Sequence, residues 1–189
     1  MAPHKPSPTV PGLRPTKRYI TTHDSTGKSV YHNSTPPDLI PKKSGLTRSY
    51  SVASVPAVLE NEVDIAAFKA ATGAASHCAP GIVPPSPGAY LCVVDLAPGQ
   101  SSLMHRTVSI DFSICVIGEI EHTLDAGETV RLYPGDHIVQ RGTMHQWSNP
   151  TDKPARFVAC AVPCKPFDIG GEQLQERFLS ENNKPKAKL

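Results

Sequence analysis

Hydrophobic and polar positions alternate with a short period through most of this chain. From Gly88 to Val162, brief runs of Val, Ile, Leu, Phe and Cys are separated by Pro-Gly, Asp-Ala-Gly, Pro-Gly-Asp and Arg-Gly-Thr. Strands at such close spacing with those turns predict an all-β barrel or sandwich. Upstream, Lys17 to Ser34 places two β-branched runs around Asp-Ser-Thr-Gly, the pattern of a hairpin, and Gly45 to Leu59 reads as strand. Asp64 to Thr72 holds strong helix formers, with Asp64 as a cap and Gly73 just past the end, so one short helix is predicted there. A proline-rich link (Pro80, Pro84, Pro85, Pro87) leads into the barrel. After Pro166, Leu174, Phe178 and Leu179 recur at helical spacing and predict a short C-terminal helix. The resulting organisation is a flexible arm over 1–16, N-terminal strands and helix over 17–87, the barrel over 88–166, and a C-terminal helix and basic tail over 167–189.

Composition narrows the classes. The 189 residues are 39% hydrophobic, enough for one sizeable core, and 20 prolines make a helical bundle untenable because each removes a backbone donor. No apolar run approaches the roughly 20 residues of a membrane span, and no apolar stretch follows the charged N-terminus as in a secretory signal. The five cysteines lack a CxxC pair, so neither a disulfide framework nor a zinc ribbon is expected. A net charge of +2 with interspersed signs argues against a nucleic-acid partner.

Two segments carry metal-capable side chains inside strand-like text. The first runs from Gly99 through His105, Thr107 and Asp111 to Gly118. The second runs from Gly135 through Arg141-Gly142-Thr143 to His145, Trp147 and Asn149. By strand parity His105 and Thr107 share one face, and His145, Trp147 and Asn149 share another, so both faces suit a common lumen. These spacings resemble the two motifs of the cupin superfamily, with Thr107 where a second histidine is usual, Asp111 in place of Glu, and Arg-Gly-Thr in place of a Pro-x-Gly turn. The strings Met-His-Arg-Thr and Gln-Arg-Gly-Thr-Met-His-Gln-Trp-Ser-Asn also resemble a cupin subgroup of bacteria and fungi. Members with a proline-rich N-terminal extension often lie in secondary-metabolite gene clusters. The resemblance implies a double-stranded β-helix, or jelly-roll barrel, with an N-terminal strand extension.

It also implies a divalent metal, Zn, Fe or Mn, with no organic cofactor. The surviving ligands are His105, Asp111 and His145, a 2-His-1-carboxylate set that leaves open positions. Threonine is a poor ligand, and Gln100 and His122 are the groups that could compensate. The competing reading is a metal-free barrel in which His105, His145 and Asp111 satisfy one another by hydrogen bonds. His122 shares a face with Ile120 and Leu124 and is a candidate general acid or base, or a plain barrel histidine. Trp147 offers a flat apolar plate to a substrate or fills the core. Arg141 either meets an acidic substrate at the barrel mouth or pairs with Asp136, while Arg106 points away from the lumen. His4, His23, His32 and His77 read as solvated.

The functional expectation is a lyase or isomerase acting on a polyketide or aromatic-acid type intermediate. His105, His122 and His145 are the catalytic candidates, and Trp147, Thr107 and Arg141 contact the substrate. An Fe(II) oxygenase and a non-catalytic ligand-binding cupin are the alternatives. The surplus N-terminal strands predict a homodimer. A cytoplasmic protein is expected, with peroxisomal import suggested by the terminal Ala187-Lys188-Leu189.

Overall fold

The computed structural model describes residues 10–33, 45–79, 81, 83 and 87–179. β1 (Thr21–His23) and β2 (Ser29–Tyr31) form the expected hairpin. Asp24 closes its turn by accepting the Thr26 and Lys28 backbone N–H groups at 2.8 and 3.0 Å. β3 (Leu46–Val52) follows, then α1 (Val63–Lys69). Asp64 lies inside the first helical turn rather than capping it, because its carboxylate accepts the Tyr50 hydroxyl at 2.6 Å and ties α1 to β3.

The barrel strands are β4 (Ala89–Leu96), β5 (His105–Arg106), β6 (Ser109–Ile117), β7 (Ile120–Leu124), β8 (Thr129–Leu132), β9 (His137–Arg141), β10 (His145–Ser148) and β11 (Ala155–Pro163). The chain then makes three short strands, β12 (Asp168–Ile169), β13 (Glu172–Gln173) and β14 (Arg177–Phe178). Two five-stranded antiparallel sheets result, in the orders β14-β5-β10-β7-β8 and β3-β4-β11-β6-β9. Chain order and spatial order diverge as a jelly roll requires, and each sheet turns one side of its pleat to the lumen. Tyr90, Cys92, Val94 and Leu96 of β4 and Phe157, Ala159 and Ala161 of β11 face inward by alternation and form the core with Trp147 of β10. Trp147 stacks on Phe157 at 4.4 Å between ring centroids, joining the two sheets.

Gly45 and Gly118 combine a positive φ with close approaches that no other residue allows. Gly45 (φ +80°) enters β3 where a Cβ would stand 2.1 Å from the Asp95 carbonyl, and Gly118 (φ +74°) turns β6 into β7 where one would stand 2.8 Å from the Pro154 carbonyl. Beside Gly45, the buried Arg156 and Asp95 side chains meet in a two-point ion pair at 2.5 and 2.8 Å.

The C-terminal segment corrects the expected helix. Gly170 (φ +58°) and Gly171 (φ +87°) make a two-residue hairpin turn between β12 and β13, which helix formation would forbid, and β14 pairs with β5. The helical spacing of Leu174 and Phe178 has another origin: Leu174 is buried under Gly142, and Phe178 reaches the lumen from an edge strand. Of the segment read as a free arm, residues 10–16 dock on the barrel, with Leu13 buried and the Arg14 carbonyl accepting Arg156 Nη1 at 3.1 Å. Residues 1–9, most of the proline-rich link and Ala187-Lys188-Leu189 lie outside the described residues. Among the described residues no helix is long and apolar enough to cross a membrane.

Removing one member of the buried pair leaves the other charged in the core. Arg156→Met should therefore lose about 3–5 kcal/mol in urea unfolding, and Asp95→Leu combined with Arg156→Met should recover most of it. A single variant as stable as the parent would contradict this account of the pair.

Candidate functional site

The lumen is a cavity of about 520 Å³ between the sheets. Its lining is mostly apolar, from Leu46, Val94, Trp147 and Phe157 among others, and its polar groups gather on two walls. On one wall β5 and β10 pair so that His105 stands directly across from His145, their rings 4.3 Å apart. Phe178 of β14 stacks on His105 at 5.4 Å with the planes 4° apart, placing an aromatic ring at the cavity edge. On the other wall, β6 supplies Thr107's neighbour Ser109 and then Asp111. Thr107 Oγ1 and Ser109 Oγ lie 2.8 Å apart, and Ser109 donates to Asp111 Oδ1 at 2.8 Å.

Burial governs the charge of this set. It pushes the Asp111 carboxyl up to about 6, and the hydrogen bonds from Ser109 and Thr107 only partly oppose it. Burial, and then the positive charge His105 would carry, brings the His145 imidazole down to about 3. Burial also lowers His105, against the pull of the Leu103 carbonyl, which accepts from its Nδ1 at 2.8 Å. Near neutral pH the imidazoles are uncharged, and the carboxyl titrates close to the working range. Cys92 faces the same lumen, but burial pushes its thiol up to about 12, so it remains protonated.

The predicted residues divide accordingly. His105, His145, Asp111, Thr107 and Trp147 all line the cavity. The three-ligand metal centre does not assemble: among the described residues no three His, Cys, Asp or Glu side chains form a group that could hold a metal ion. Asp111 belongs to the sheet opposite the two histidines and spends an oxygen on Ser109. Gln100 does not substitute, since its Oε1 accepts the Ala97 N–H at 2.8 Å.

His122 is buried beside His145 and Trp147, at 5.4 and 4.6 Å between rings, but it opens onto a separate depression with Val130, Val139 and Phe167. Its contact with the lumen runs through Gln140, His145 and Trp147, which line the cavity. Arg141 lines that same depression on the edge strand β9, exposed and away from the cavity, and Asp136 instead accepts the Tyr133 N–H at 2.9 Å. Arg106 points outward and donates to the Gln175 carbonyl at 2.8 Å, as a structural charge should. Asn149 is a loop staple: its amide donates to the Leu96, Ala97 and Lys153 carbonyls.

Sequence reasoning missed Gln140, which is 2% exposed and bonds to His122, to His145 and to the Thr143 carbonyl. Parity with the inward Ile138 was the available signal, because a polar side chain on a core-facing position needs partners.

A cupin-domain family model matches residues 92–161. Phomopsin biosynthesis cluster protein D of Diaporthe leptostromiformis is 39% identical over 170 residues, covering 87% of each chain. The chain belongs to the cupin superfamily. Two further cupins are similar: the cupin-domain-containing oxidoreductase srdB of Neurospora crassa, 36% identical over 87% of this chain and 82% of its own, and the cupin-domain-containing oxidoreductase virC of Hypocrea virens, 33% identical over 88% and 85%. Its relatives thus include proteins of secondary-metabolite clusters.

The raised carboxyl has a stability signature. Because Asp111 titrates higher in the folded cupin than the 3.8 of the free side chain, its contribution is complete below about pH 4 and is lost as pH rises through about 6. Asp111→Asn removes that loss. In urea unfolding the variant should gain on the parent by roughly 1–3 kcal/mol between pH 4 and 7, His145 contributing equally to both proteins. A difference that does not change with pH would show that the carboxyl is not held in this state.

Proposed function

We propose that this cupin is a metal-independent enzyme of secondary metabolism that moves a proton on a small, largely apolar, carbonyl-bearing intermediate, as a lyase or isomerase. One observation carries the reading: an uncharged imidazole pair and a carboxyl that titrates near neutrality face one apolar cavity from opposite walls. Trp147 and Phe157 supply flat faces for an aromatic or polyketide-type ligand, and about 520 Å³ suits a molecule of that size. His105 keeps its proton on Nδ1, so Nε2 is the ring's free base. Asp111 is the matching proton donor, aligned through Ser109 and Thr107. Cluster-encoded relatives support an intermediate of such a pathway as substrate.

The test is solvent-deuterium incorporation and product formation with a panel of aromatic and polyketide-type keto acids, read by mass spectrometry. His105→Ala and Asp111→Asn should each lower turnover by about 10²-fold or more, with no requirement for dioxygen. Turnover that survives both substitutions would remove the reading. The names of srdB and virC favour a second reading, an oxidoreductase, and stoichiometric dioxygen consumption with anaerobic loss of turnover would establish it instead.

The assembly we propose is a homodimer. β3 closes one sheet edge within its own chain, so exchanged N-terminal strands are not needed there. The outer face of that sheet, however, sets Leu91, Cys160, Phe112 and Val139 side by side across four strands, with Leu91, Phe112 and Val139 exposed. A second copy is the occupant we assign, since a flat apolar sheet face complements itself about a two-fold axis. Light scattering should give twice the 20.3 kDa chain mass, and Phe112→Glu should give the monomer. A monomeric parent at micromolar concentration would refute the dimer.

A further inference from the structure

The inner face of the β3-β4-β11-β6-β9 sheet is graded along β11. Register sets Ser113 beside Ala159 and, two residues on, Tyr90 and Asp111 on either side of Ala161. Residues paired in this way point to one face, and these line the cavity. Phe157 lies four residues back from Ala161, about 13 Å along the strand. The cavity wall therefore begins at an aromatic ring and continues as a floor of two alanines without side-chain bulk.

Tyr90 stands at the end of that floor. It is 4% exposed, and the Arg48 guanidinium sits over its ring at 5.6 Å. Arg48 directs its own hydrogens to the Ser76, Ala79 and Gly81 carbonyls, so it holds the ring in place. The Tyr90 hydroxyl has no hydrogen-bond partner among the described residues. Buried side-chain atoms left without a partner are there confined to Arg18, so this hydroxyl opens to the cavity that its ring lines. A phenol keeps its hydrogen at neutral pH, and a donor held in an apolar cavity gains from any ligand that brings an acceptor. Other hydroxyls of the lining differ. Thr107 is tied to Ser109, and Ser102 to the Leu103 carbonyl. Ser113 also lacks a partner among the described residues, but it stands beside the middle of the floor on a shorter side chain.

We propose that Tyr90 is the specificity-determining anchor of the lumen: a flat ligand packed against Trp147 and Phe157 lies along the Ala159–Ala161 floor and ends in a carbonyl oxygen that accepts the Tyr90 hydroxyl hydrogen. This rests on the proposed function for the apolar, carbonyl-bearing class of ligand, and adds the residue that reads the carbonyl and the direction in which the ligand lies. An elongated molecule, such as two fused aromatic rings with an acyl end, suits a floor of this length. Its carbonyl then comes to the row that carries Asp111.

The experiment is equilibrium dialysis of the full chain at neutral pH against 2-acetylnaphthalene and 2-ethylnaphthalene, which are alike in shape and differ in the carbonyl oxygen. Tyr90→Phe keeps the ring under Arg48 and removes the hydroxyl alone. The ketone should bind Tyr90→Phe about 5- to 10-fold more weakly than the parent, as the loss of one hydrogen bond implies. The hydrocarbon should change less than about two-fold, and Ser113→Ala should leave both ligands within the same margin. Equal ketone affinity in parent and Tyr90→Phe, a loss shared by the hydrocarbon, a larger loss in Ser113→Ala, or no ketone binding to the parent overturns the proposal. Should Tyr90→Phe not fold, the infrared carbonyl stretch of the 13C-labelled ketone bound to the parent still decides. It should lie below its value in hexane, and an unshifted band overturns the anchor. Binding is read here and not turnover, so failure of the deuterium assay removes the catalytic reading while failure of these measurements removes the anchor.

Discussion

Ionisable side chains taken out of water must become neutral, pair, or strand their charge, and the lumen of this cupin is built around the first outcome. His105, His122 and His145 are 8%, 5% and 3% exposed, and burial is the first cause of each one's lowered basicity. The same burial raises Asp111. The histidines therefore present neutral hydrogen-bonding groups, whose direction matters more than their charge. Direction is set by backbone carbonyls that can only accept, those of Leu103 and Thr143, and by the Gln140 amide between two rings.

The substitution of Thr107 for a histidine acquires a physical sense in this setting. A hydroxyl there joins Ser109 and Asp111 in a chain of hydrogen bonds along one wall. The carboxylate is consequently engaged by hydroxyls on its own sheet and does not converge with the histidines of the other. The scaffold features of the motif persist around this chain of hydroxyls. Gly118 still makes the β6–β7 turn, and Asn149 still pins its loop to the Leu96, Ala97 and Lys153 carbonyls.

The barrel around the site is closed by contacts that are distant in the chain. Arg156 holds Asp95, 61 residues away, and reaches the Arg14 carbonyl, 142 residues away, which draws the N-terminal segment onto the barrel. Arg48 is buried and donates to the Ser76, Ala79 and Gly81 carbonyls, so the segment that brings Gly81 to the cavity is held by β3. Phe178 arrives from the opposite terminus. The cavity is shaped from both ends of the chain, although its chemistry comes from the middle.

Local pattern determined a good deal of this protein. Alternation and turn residues identified the barrel strands, the Asp24 hairpin and the helix near Val63, because pleat parity and turn conformations are properties of a few adjacent residues. The same parity placed His105, Thr107, His145 and Trp147 in the lumen, while Asn149, grouped with them by parity, turned to its loop; motif spacing added Asp111 and identified the superfamily. Only tertiary structure decided the rest. Whether Asp111 joins the histidines depends on which sheet β6 enters, and the Gly170-Gly171 turn overrode a helical spacing that Leu174 and Phe178 owed to separate partners. Gln140's role exists only where β7, β9 and β10 bring His122, Thr143 and His145 around one amide. A hydrogen bond between strands is fixed by register and pairing, and those are settled by the closure of the whole barrel rather than by neighbours in the chain.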